Sequence, residues 1–202
     1  MNLQKIEDWF DGKLDVLSDG SEYPIFLVAI GEKPAALTMN VDDRQEKTLR
    51  ELCSELDLAI KVSEGRVSKP GVTVGKRPEH DQRCAFITND ESRMEILENS
   101  SGRFYGFSDE AVGRFLGFPD SAIEFFEENE QPGMVSKKAV MEKDPDGKKF
   151  LALTTFIPAP ESLKEAVEIG KRRKDELESF DRENNSSLGE EFIQRRFEGS
   201  LY

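Results

Sequence analysis

His80, Cys53 and Cys84 are the only imidazole and thiols in the 202-residue chain, and they bound the chemistry it could do. A structural zinc takes about four nitrogen or sulfur ligands, and a catalytic zinc about three plus water. One histidine and two scattered cysteines fall short of either set unless carboxylates join them, so no metal and no cofactor is expected. Cys53 falls in the apolar stripe of a helix, and Cys84 opens a strand. Met1 to Phe10 is already charged, so no secretory leader is expected and both thiols read as buried and reduced. A Ser-His-Asp triad would have to use His80, which sits in a polar loop. Carboxylates are numerous, but no pair is singled out. Asp109–Glu110, Glu127–Glu128 and Glu190–Glu191 are adjacent in sequence, and adjacent residues of a helix do not face each other. No catalytic residue is expected.

Gly71-Val72-Thr73-Val74-Gly75-Lys76-Arg77 approaches the pattern of a phosphate loop. A Walker A loop places four residues between its glycines and then Lys followed by Ser or Thr. Here three residues intervene, Arg77 replaces the hydroxyl that would hold magnesium, and Pro78 stands where a helix should begin. Nucleotide binding is not expected. The stretch is still the most basic in the chain, so Arg66, Lys69, Lys76, Arg77 and Arg83 form a candidate site for an anionic ligand or partner. The first four belong to an expected exposed loop over residues 63–82, which Gly65, Pro70, Gly71, Gly75 and Pro78 keep out of helix and strand, and Arg83 follows it.

Residues 109–126 have helix-turn-helix spacing, with Gly113, Gly117 and Ile123 at the small, turn and aliphatic positions. The reading helix would carry Asp120, Glu124, Glu127 and Glu128, and carboxylates there repel DNA phosphates. Two packed helices without DNA binding are the preferred reading. Lys171-Arg172-Arg173-Lys174 is a basic run, but four consecutive residues spread around a helix. Glu165, Glu168, Asp175, Glu176 and Glu178 surround it and offer spacings of three or four for ion pairs, so the run reads as a solvated face.

Aromatic residues concentrate in 104–126: Phe104, Tyr105, Phe107, Phe115, Phe118, Phe125 and Phe126. Phe115, Leu116, Ile123 and Phe126 are expected in the core. Phe104, Tyr105 and Phe107 precede a cap at Ser108, lie among glycines and follow no helical period. They are the candidate partner surface.

The elements that would position these residues follow from periodicity. Leu3, Ile6, Phe10, Leu14 and Leu17 mark an amphipathic helix that Asp19-Gly20 stops. Ile25 to Ile30 and Ala35 to Met39 read as a β-hairpin across Gly31-Glu32-Lys33-Pro34. Asn40 or Asp42 caps a helix whose buried face holds Leu49, Leu52, Cys53 and Leu56. Strands are expected at 59–62, 84–87 and 150–157. Thr88 and Glu91 have capping-box spacing ahead of a short helix. Ser108 caps a helix over 109–116, Gly117-Phe118-Pro119 breaks it, and another runs from Asp120 to about residue 130. Gln131-Pro132-Gly133 reads as a turn and 137–149 as polar and mobile. A helix over 161–180, capped at Ser162, a break at Asn184-Asn185-Ser186-Ser187 and a last helix over 188–197 complete the chain.

Composition narrows the class. Hydrophobic residues are 37% and charged residues 34%, with 41 acidic against 28 basic and a net charge of −13. Such a charge favours solubility and disfavours nucleic acid and anionic lipid. The acidic bias suits a salt-rich, archaeal or halophilic cytoplasm as well as an ordinary one. No apolar run nears the ~18 residues of a membrane span, so no membrane contact is expected.

Two segments carry a likeness. Leu116-Gly117-Phe118-Pro119-Asp120-Ser121-Ala122-Ile123-Glu124-Phe125-Phe126 resembles the Gly-Tyr-Pro-x-Cys-Cys-x-x-x-Phe segment of an uncharacterised, largely archaeal domain-of-unknown-function family (DUF483). Ile157-Pro158-Ala159-Pro160-Glu161-Ser162-Leu163, leading into Glu165 to Gly170, is similar to a Pro-Cys-x-x-x-Cys segment of such proteins. The resemblance implies a shared fold. It carries over no catalytic residue, because Ser121, Ala122, Ala159 and Leu163 stand where the cysteines would be.

The expected fold is α+β: a small, mostly antiparallel sheet with helices packed on it over 1–160, and C-terminal helices over 161–202. The expected role is that of a soluble cytoplasmic, non-catalytic protein acting through a protein partner. The alternatives are a helix-turn-helix regulator at 109–126 and an enzyme using carboxylates.

Overall fold

The computed structural model describes residues 3–10, 21–63, 83–102, 106–129, 132–143 and 147–198. The fold is α+β, and the chain divides into two compact units, Met1–Gly117 and Phe118–Tyr202. Val140 and Leu151 pack in one cluster with Leu163, Ala166 and Val167, so the helices on either side of residue 160 share a core.

The first unit holds α1 (Leu3–Phe10), α2 (Glu22–Ala29), β1 (Ala35–Val41), α3 (Asp43–Leu56), β2 (Ala59–Val62), β3 (Arg83–Thr88), a 3-10 turn (Glu91–Arg93), α4 (Met94–Glu98) and α5 (Asp109–Phe115). The three strands form an antiparallel sheet in the order β1-β3-β2. Leu37 and Lys61 flank Phe86 in register, while Ala36 and Ile60 flank Ile87. Alternation puts Cys84, Phe86 and Thr88 on one face and Arg83, Ala85 and Ile87 on the other. Five of these six residues are buried, so the central strand is covered on both faces. On the Phe86 face, Phe115 of α5 meets the ring edge-on at 5.5 Å, and Glu98 of α4 pairs with Lys61 at 3.0 Å. On the opposite face Arg83 reaches Asp43 and Glu46 of α3.

The first half of the expected hairpin is a helix. Ile25 to Val28 and Tyr23 of α2 are all buried, and a short apolar run with no polar face has no period to separate strand from helix. Pro24 is tolerated in a first helical turn, and the N–H groups of Glu32 and Lys33 close the C-terminal end onto the Leu27 carbonyl at 2.8 and 3.0 Å. Asp42 caps α3 as expected, in a full capping box with Gln45: the Asp42 carboxylate accepts from Gln45 N at 2.7 Å, and Gln45 Oε1 accepts from Asp42 N at 2.9 Å. Thr88 caps no helix. Its hydroxyl donates to the Pro34 carbonyl at 2.7 Å, and Asp90 caps the 3-10 turn through Ser92 N.

Among its described residues the second unit holds helices and no strand: α6 (Asp120–Glu128), α7 (Pro132–Lys143), α8 (Lys148–Leu151), α9 (Leu163–Asn184) and α10 (Leu188–Glu198). Pro132 opens α7 where a turn was expected, because proline's missing N–H costs nothing at a first helical position. The strand expected over 150–157 is absent. Leu153 N and Thr154 N bond back three residues to Phe150 and Leu151, so local turns satisfy the groups a sheet would have paired. Asn185 ends α9 in the left-handed region, and the Asp181 carboxylate caps α10 by accepting from Gly189 N at 2.9 Å and Glu190 N at 2.8 Å. No helix among the described residues is long and apolar enough to cross a membrane.

Candidate functional site

The candidate anion site is placed only at Arg83. Arg66, Lys69, Lys76, Arg77, His80 and most of the expected 63–82 loop lie outside the described residues. Arg83 is already engaged. Its Nη2 donates to Asp43 Oδ1 at 2.6 Å and its Nη1 to Glu46 Oε2, while Glu46 Oε1 accepts from Arg50 Nε at 2.8 Å. Glu46 is thus shared between two guanidinium groups. The Arg83 charge is answered by two carboxylates inside the unit.

The aromatic segment is built from both ends. Phe104 and Tyr105 lie outside the described residues. On either side of them, Gly102 N donates to the Gly106 carbonyl at 3.1 Å. A β-carbon on Gly102 would meet the Phe107 carbonyl oxygen at 2.3 Å, and Gly106 has φ +95°, so both positions require glycine. Phe107 departs from its expected exposure. It is half-buried, with its ring edge-on to Phe86 at 5.1 Å, because residue 107 enters the sheet's covered face. Ser108 then caps α5 as expected, accepting from Ala111 N at 3.1 Å.

The far end of α5 is gripped by two cations. Arg93 donates from Nε and Nη2 to the Phe115 carbonyl at 3.1 and 2.9 Å, and from Nη2 to the Arg114 carbonyl at 2.6 Å. Lys33 Nζ donates to the Leu116 carbonyl at 2.8 Å and also to the Ala35 carbonyl. Lys33 is only 3% exposed, and its buried ammonium is satisfied by one carbonyl at the negative end of α5 and one at the start of β1. Gly117 follows at φ +71°, with room for no side chain beside Pro34. Neither cation stands out in the sequence. Lys33 stands in a Gly-Glu-Lys-Pro turn that reads as exposed, and of the two carbonyls it serves the one at Leu116 lies 83 residues away.

The helix-turn-helix pattern does not lie within one unit: α5 ends the first unit and α6 begins in the second. Of the expected core residues, Phe115, Leu116 and Ile123 are buried, whereas Phe126 is 45% exposed. Phe125 takes the inward place on α6, on the line that Ala122 begins three residues earlier.

Cys53 and Cys84 are buried free thiols. Loss of solvation pushes each thiol up to about 12, against the smaller opposing pull of Arg50 on Cys53 and of the Ser63 hydroxyl on Cys84. Neither is a nucleophile near neutral pH. No group of three or more metal-binding side chains comes together among the described residues. Three cations of the basic run pair within α9: Lys171 with Glu168 at 2.7 Å, Arg172 with Glu176 at 3.3 Å, and Lys174 with Glu178. An open recess of about 540 Å³ runs along the outside of α3, lined by Asp43, Glu46, Glu51, Glu55, Lys47 and Arg50 among others.

Comparison with protein-family models, with characterised proteins and with solved structures finds no match to this chain.

Proposed function

We propose that the protein acts by contact with a partner protein and performs no reaction of its own, with Phe104 and Tyr105 as contact residues. The observation that carries this reading is the anchoring around them. Gly102, Gly106 and Phe107 tie the neighbouring backbone to the first unit, and Ser108, Arg93 and Lys33 hold the helix that follows. Large aromatic side chains next to a rigid support lose little entropy on binding, which is why aromatic residues dominate contact energies. The chemistry of the thiols supports the same reading, since burial denies both the thiolate form.

The test is a double variant, Phe104→Ser with Tyr105→Ser, compared with the wild type in capture from the native host and in thermal unfolding. The expected outcome is loss of a protein that the wild type captures, with Tm within about 2 °C of the wild type. Undiminished capture overturns the assignment of these residues. A Tm lower by about 4–8 °C or more overturns it differently, by placing the rings in the core.

A further inference from the structure

We draw no further inference here: the strongest candidate, the charged recess along the outer face of α3 from Asp43 to Glu55, sets four carboxylates against two cations, but nothing in the structure shows what covers it.

Discussion

At Cys53 and Cys84 burial removes the thiol from water and penalises the thiolate, the charged form. Burial pushes both folded thiols up to about 12 from an ordinary value of 9.0. Their contribution to stability is therefore complete below about pH 9 and is lost as pH rises toward about 12, because in that window the unfolded chain sheds protons that the folded chain keeps. A Cys53→Ala, Cys84→Ala chain is expected to show a shallower fall of Tm above pH 9 than the wild type. An identical fall would show that the thiols do not titrate differently on folding. The same burial should keep both thiols silent to a thiol reagent until denaturant is added. Phe115 tests packing at the same scale. Its side chain is fully buried against Phe86, so Phe115→Ala is expected to cost about 3–5 kcal/mol in urea unfolding, out of roughly 5–15 for a domain. A loss under about 0.5 kcal/mol would mean that the ring is not core. Burial of Phe115 was legible from its helical spacing. Burial of Lys33 was not, because the Leu116 carbonyl that helps to satisfy its ammonium lies 83 residues away along the chain.

Caps and breaks were the elements most readable from sequence. Asp42 at α3, Ser108 at α5, the Gly117-Phe118-Pro119 break and the Asn185 stop all rest on contacts within a few residues. The strands at 59–62 and 83–88 were legible for the same reason, as short β-forming runs. The apolar runs at 25–30 and 150–157 were misread as strands. Their residues are compatible with either state, and what decided was whether a partner strand stood beside them. In α9, Gly170 offers a test of packing against propensity. Gly→Ala inside a helix ordinarily gains about 1 kcal/mol. Here an added β-carbon would fall 2.0 Å from the Phe150 carbonyl oxygen, so α8 and α9 pack only because residue 170 has no side chain. Gly170→Ala is therefore expected to lower Tm. A raised Tm would show that α8 yields without cost.

For the whole chain, the charge of −13 sets the long-range field. Phosphate polyanions are repelled by it, and the charged residues that α6 would offer to a groove are Asp120, Glu124, Glu127 and Glu128. Random duplex DNA is expected to give no mobility shift even at low salt, where electrostatic binding is strongest. A salt-sensitive, sequence-selective complex would replace the partner-protein reading with that of a regulator. The division at Gly117 also belongs to this scale. The chain reaches it through α5, whose last carbonyls are fixed by Arg93 and Lys33, so the first unit is held up to its final residue.

The sequence alone determined whatever depends on near neighbours or on totals. It determined the α+β class, the acidic charge, the capped starts of α3 and α5, the self-paired cations of α9 and the scarcity of metal ligands. Each follows from composition or from contacts within a helical turn. Tertiary structure decided what depends on residues far apart. It made α2 a buried helix, turned Phe107 onto Phe86, engaged Arg83 with Asp43 and Glu46, and set the unit boundary at Gly117. An apolar run or a lone cation carries no record of its partner, and these partners lie from 21 to 83 residues away along the chain.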